Sequence, residues 1–206
     1  MNLNNYKQLE TVANNYLNGI LRDNKNLIND TNFSLIQYSN QTVLKLHIKA
    51  SINTLDHLDK DKSYLNVGMG GGFLELVAKQ RGGYNIESIE WDQQEPIFRP
   101  LRVGFDVDNY LIDIVGDINS DEFIINTDKH YDYVILSRFF PINKKWAGTE
   151  ERFWELINKF KQYADGVIIF DAITNFNKDW LKDFEIYSMN ESKGFALFKY
   201  NFMTSK

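Results

Sequence analysis

The chain has 206 residues, with 23 Lys and Arg against 28 Asp and Glu, and its net charge of −5 gives no general attraction to a phosphate backbone. Long nucleic acid would need a local basic patch, so it is neither indicated nor excluded. Hydrophobic residues at 43% and aromatics at 15% suffice for a buried core and set a disordered chain aside, while the absence of cysteine excludes disulfides, thiolate metal sites and a cysteine nucleophile.

The opening residues, Met1 to Tyr6, are polar and carry no basic segment followed by an apolar one, and no apolar run approaches the roughly 20 residues needed to cross a bilayer. A cytoplasmic protein without a membrane partner is expected. Residues 1–60 read as a helical extension. Tyr6, Leu9, Ala13, Tyr16, Leu17 and Ile20 recur at helix spacing, the polar stretch from Arg22 to Thr31 reads as a loop, and Leu44, Ile48, Ile52 and Leu55 form a second stripe after Thr42.

From Ser63 the texture changes, and residues 61–206 read as one α/β domain. Tyr64 to Val67 is a short apolar strand, Gly68 to Gly72 a glycine turn, and Phe73 to Arg81 a helix closed by Gly82-Gly83. Further strands are expected at Tyr84 to Trp91, Tyr110 to Val115, Tyr131 to Leu136 and Val167 to Phe170. Thr149 to Tyr163 is an amphipathic helix with Phe153, Leu156, Ile157 and Phe160 on one face. Phe184 to Ser188 and Phe195 to Tyr200 alternate and read as an antiparallel hairpin. This order predicts a doubly wound, mostly parallel, seven-stranded sheet of Rossmann-like type with a terminal antiparallel hairpin and an N-terminal helical extension.

Gly68, Gly70 and Gly72 form G-x-G-x-G. Glycine suits the positive φ values of such a turn, and a Cβ would block a ligand lying against the backbone. The dinucleotide fingerprint requires Gly or Ala where Phe73 stands, and a Walker loop requires a terminal Gly-Lys-Ser/Thr that is absent. A carboxylate follows at Glu90, 22 positions after Gly68, at the end of the neighbouring strand, where it can accept hydrogen bonds from both hydroxyls of a ribose. Asp92 is the near alternative. Trp91 either packs on an adenine face or is an ordinary core aromatic.

With these residues in place, the chain from Ser63 onward resembles a class I methyltransferase dependent on S-adenosylmethionine (SAM). Leu65-Asn66-Val67-Gly68-Met69-Gly70-Gly71-Gly72 is similar to that family's first motif and Ile89-Glu90 to its second. Gly116-Asp117-Ile118 resembles the turn where an acid receives the adenine amino group, and Ala164 to Phe170 resembles the fifth strand with its turn. The resemblance implies SAM as cofactor, held by Asn66, Gly68, Gly70, Gly72, Glu90, Trp91, Asp117 and Ile118. It also implies a methyl acceptor, open between small molecule, RNA and protein. The family usually carries an acid where Asn66 stands. A hydrogen bond to a charged group is worth roughly 1.5–3 kcal/mol against about 1 for a neutral one, so this exchange weakens the hold on an ammonium.

The acceptor is expected beyond strands four and five, at Ser137-Arg138-Phe139-Phe140-Pro141 and Asp171-Ala172-Ile173-Thr174. Ser137, Arg138 and Asp171 are the candidates for catalysis. Arg138 would meet an anionic substrate or a surface carboxylate, and Asp171 would act as a base or cap the next turn. Arg138 and Phe139 replace both prolines of the family's amino-methylating motif, which disfavours that chemistry. His47, His57 and His130 have no liganding spacing, so no metal is expected. Lys45 and Lys49, and Lys144-Lys145-Trp146, are the basic clusters. The alternative to an enzyme is a methyltransferase-like domain that serves as a structural or assembly subunit. A nicotinamide oxidoreductase is disfavoured by Phe73 and by the lack of a Tyr-x-x-x-Lys pair.

Overall fold

The computed structural model describes residues 41–90, 98–116, 118, 122–137, 149–172, 178–190 and 195–202, with residues 7, 8, 10–12, 14, 15, 18, 19 and 22 nearer the start. The chain divides into two compact units. One comprises Met1–Asp56, Met69–Gly83 and Asp92–Leu111, and the other His57–Gly68, Tyr84–Trp91 and Ile112–Lys206.

In the first unit, the residues of the expected first stripe (Tyr6 through Ile20) lie outside the described ones, although every described position from 7 to 22 is helical. Helix α1, Gln41–Leu55, buries Ile48 and Leu55 and half-buries Ile52. Its buried face also holds Ser51 and Thr54. Their hydroxyls donate to the carbonyls of His47 and Ala50, four residues back, at 2.9 and 3.0 Å, so the polar atoms go inside already satisfied. Helix α2, Phe73–Arg81, buries Phe73 through Ala78 and ends at Gly82, whose N–H donates to the Ala78 carbonyl at 2.9 Å. His47 stacks on Phe73 with ring centroids 5.4 Å apart, joining α1 to α2. Helix α3, Phe98–Phe105, went unassigned in the sequence; it buries Leu101, Arg102 and Phe105, and Phe105 meets Phe73 edge-on at 5.6 Å.

The second unit is built on a sheet whose strands are β1 (Ser63–Val67), β2 (Asn85–Ile89), β5 (Tyr133–Ser137), β6 (Gly166–Ala172), β7 (Glu185–Asn190) and β8 (Phe195–Asn201), in the order β2-β1-β5-β6-β8-β7. The first four are parallel, β8 runs antiparallel to β6, and β7 antiparallel to β8. The hairpin was therefore read correctly. The strand count was not, since this sheet has six described strands. The residues expected as strand three instead form a 3-10 turn at Asp108–Tyr110 and a two-residue strand β3, Ile114–Val115, paired antiparallel with β4, Ile124–Ile125. The reason is local. The N–H groups of Tyr110 and Leu111 are taken by Val107 and Asp108, Ile112 makes one bond to the Ser88 carbonyl, and Gly116 at φ 78° then turns the chain toward β4.

One face of the sheet carries Leu65, Val67, Ile89, Val134, Leu136, Val167 and Ile169 into a core with Phe153, Leu156 and Ile157 of helix α4, Glu150–Lys159, and with Phe160 beyond it. Thr149 caps α4 by accepting the Arg152 N–H at 3.3 Å, and Glu150 and Glu151 stand at the positive end of the helix dipole. At the start of the sheet, the Asp132 carboxylate accepts hydrogen bonds from the Ser63 N–H (2.8 Å), the Ser63 hydroxyl (2.9 Å) and the Lys62 ammonium (2.8 Å). The Asp132 N–H donates back to the Ser63 hydroxyl at 3.0 Å. This closed set fixes Tyr64 opposite Tyr133 and so sets the β1–β5 register. On β2, Glu87 accepts from the Tyr131 hydroxyl at 2.6 Å and pairs with Lys129. Among the described residues, no helix is long and apolar enough to cross a membrane.

The Lys62 and Ser63 hydrogen bonds hold the Asp132 carboxyl at about 2, below its ordinary 3.8. A lowered folded value stabilises the fold above the ordinary carboxylate range, and the benefit is lost as pH falls from about 4 toward 2. Asp132→Ala should therefore cost about 1–2 kcal/mol at pH 7 and clearly less near pH 2. Urea unfolding at both pH values checks this, and an equal loss at both would reject the charge as the cause.

Candidate cofactor site

In the strand order β2-β1-β5-β6, the chain leaves β1 toward β2 and leaves β5 toward β6. A crevice at the carboxyl edge between β1 and β5 is the place where such sheets bind ligands. The register brings the ends of four strands to this edge. Val67 stands opposite Ile89 and Leu136, and Ser137 opposite Phe170. At a strand spacing of about 4.8 Å, the edge from β2 to β6 spans roughly 14 Å.

Of the predicted residues of the second unit, Asn66, Gly68, Glu90, Ser137 and Asp171 lie on or just past the strands that end at this edge. The Gly68 N–H donates to the Ile89 carbonyl at 2.9 Å, tying the first glycine to the last residue of β2. Glu90 follows directly and is only 3% exposed, so its carboxylate is buried at the edge, and Asn66 is buried on β1. Ser137 ends β5, and Asp171 lies one residue beyond its partner on β6. Ile118 is placed differently: it packs into the core, and its carbonyl accepts the Lys159 ammonium at 3.1 Å. Trp91, Asp92, Asp117, Arg138 and Lys144 to Trp146 lie outside the described residues. His130 bonds Asp165 at 2.9 Å, Lys45 pairs with Glu10, and no group of three or more possible metal ligands comes together among the described residues.

The rest of the glycine turn belongs to the first unit. Gly68, Gly70 and Gly72 have φ of 81°, 53° and 78°, all in the left-handed region where a side chain is strained. They differ in surroundings. Gly68 and Gly70 are half-buried, whereas Gly71 and Gly72 are buried. A Cβ on Gly72 would fall 2.7 Å from Val107 Cγ2 and 3.3 Å from Arg102 Cγ, so at this position the protein's own atoms, rather than a ligand, forbid a side chain.

Arg102 was not anticipated. It is 1% exposed; its Nη1 donates to the Gly70 carbonyl at 3.0 Å and its Nε to Asp108 Oδ1 at 2.9 Å. The available signal was its spacing: Phe98, Leu101, Arg102 and Phe105 fall on one helical face, which puts a charge on an apolar stripe.

The sequence matches no family model and no curated protein. Solved structures do match. Mitomycin 7-O-methyltransferase MmcR aligns over 82% of this chain and 57% of its own, with 8% identity and a TM-score of 0.57. The SAM-dependent methyltransferase SibL, in its apo form, aligns over 81% and 58%, with 11% identity and a TM-score of 0.58. The fold is that of SAM-dependent methyltransferases. N,N-8-amino-8-demethyl-D-riboflavin dimethyltransferase (RosA) from Streptomyces davawensis shares it over 92% of this chain and 68% of its own, with 10% identity and a TM-score of 0.58. The chain thus spans under three fifths of the length of MmcR and of SibL.

Gly72→Ala should destabilise the fold by about 2–3 kcal/mol, because overpacking adds to the positive-φ strain. Chemical denaturation measures the loss. Adding Val107→Ala should recover part of it, and a double variant no better than the sum of the two singles would refute the steric cause.

Proposed function

We propose that the chain is a SAM-dependent methyltransferase, with the cofactor at the β1 and β2 end of the carboxyl edge and the methyl acceptor at the β5 and β6 end. The observation that carries this reading is the Gly68–Ile89 hydrogen bond. It brings the start of the glycine turn to within about one strand spacing of the buried Glu90, on the β2 side of the switch point of a methyltransferase fold.

The donor set suits the cofactor. Glu90 is acceptor-only when ionised, which matches the two donor hydroxyls of a ribose. The Asn66 carboxamide oxygen can accept from an ammonium while adding no charge. Bound SAM supplies an electrophilic methyl on a sulfonium, and its transfer to an acceptor lone pair leaves a neutral thioether. The chain's task is then chiefly positional: to hold the acceptor in line. Ser137 and Asp171 stand on adjoining strand ends at the acceptor side, and Asp171 is the candidate to take the proton that the acceptor releases. Arg138 follows Ser137 in sequence as the candidate for an anionic acceptor.

Isothermal titration with SAM and S-adenosylhomocysteine tests the reading. Both should bind, and Glu90→Ala should weaken SAM by roughly 1–3 kcal/mol through the lost ribose bonds. Unchanged affinity removes Glu90 from the site. A folded protein silent toward both ligands overturns the cofactor reading and favours a structural or assembly role.

A further inference from the structure

The fully buried Arg102 is not among the residues proposed above to hold the cofactor or the acceptor, yet it touches the glycine turn twice. Its guanidinium donates to the Gly70 carbonyl at 3.0 Å, and its stem lies where a Cβ on Gly72 would come within 3.3 Å. Its own carbonyl accepts the Val107 N–H at 2.9 Å, and Val107 Cγ2 lies 2.7 Å from the same Cβ position on Gly72. Arg102 near the end of α3 and Val107 just past it therefore pack together against this part of the turn.

We propose that Arg102 is a positioning residue: it fixes the plane of the Gly70–Gly71 peptide so that the turn meets its ligand already shaped. This rests on the reading that SAM lies on the turn. A trans peptide is planar, with C=O and N–H directed oppositely, so drawing the Gly70 carbonyl onto the guanidinium turns the Gly71 N–H to the opposite side. Untethered glycine ranges widely in φ, and Gly70 stands at +53°. The fork geometry matters as much as the charge. Nε is occupied by Asp108 at 2.9 Å while Nη1 holds Gly70, a two-point grip for which lysine has no equivalent.

The test combines selective ¹⁵N-glycine NMR with SAM titration on wild type, Arg102→Met, Arg102→Lys and Asp108→Asn. In the ligand-free protein the Gly71 amide should move in Arg102→Met and in Arg102→Lys. The Gly166 amide on β6 should stay, which separates a local change from loss of the fold. SAM should bind about tenfold more weakly to both variants. Asp108→Asn, at a partly exposed partner, should move the Gly71 amide in the same sense by less, and it carries the test if the Arg102 variants do not fold. An unmoved Gly71 resonance, or wild-type affinity in Arg102→Lys, overturns the proposal. A moved Gly71 amide in a protein whose wild type ignores SAM supports the tether and overturns only the cofactor reading.

Discussion

The hydrogen bond from Gly68 to the Ile89 carbonyl is the last rung between β1 and β2, and the chemistry available at the carboxyl edge depends on where that rung falls. β1 is central, paired with β2 on one side and β5 on the other. A slip of one residue would reverse its faces, turning Asn66 toward the core of Leu65 and Val67 and setting Glu90 off from the turn. The register is secured at the opposite end of the strands. Asp132 and Ser63 lock the start of β1 to that of β5, and Tyr131 and Lys129 hold Glu87 of β2. Contacts remote from the proposed site thus decide which groups meet in it.

Much of this frame was legible because it rests on side-chain pattern. Tyr64 to Val67 is a short apolar run interrupted only by Asn66, Val167 to Phe170 is an unbroken one, as expected of a strand buried on both faces, and the terminal hairpin alternates. β6 proved longer than its apolar run, from Gly166 to Ala172, because β8 pairs with all seven of its positions. The errors came where backbone bonding overruled pattern. Tyr110 to Val115 is apolar enough for a strand, but its first N–H groups are consumed in a 3-10 turn. α3 was hidden by Pro100, a residue that usually breaks helices. Here it is the third residue of the helix, where an N–H has no intrahelical partner in any case.

The glycine turn shows how one motif can join two unrelated requirements. Read as sequence, Gly68, Gly70 and Gly72 share two reasons, the positive φ that all three adopt and the close approach of a ligand. In the fold the second reason suits Gly68 and Gly70, which are half-buried, while Gly72 is compelled by Val107 and Arg102 against its backbone. Position in the motif does not reveal the difference; only the packing partners do, and they lie 30 and 35 residues further along the chain, on and just past a helix the sequence did not announce.

Arg102 and Asn66 bear on the same economy of binding from opposite directions. A buried guanidinium is expensive to desolvate, so its two hydrogen bonds matter more for the geometry they fix than for net stability. Asn66, where the motif that this sequence resembles usually carries an acid, lacks a charge that would otherwise favour a cationic ligand. On the proposed reading, recognition here moves from charge toward shape: with less Coulombic pull available, affinity depends more on a turn that needs no reordering when the ligand arrives. A rigid grip on the Gly70 carbonyl is the kind of feature that shift would require.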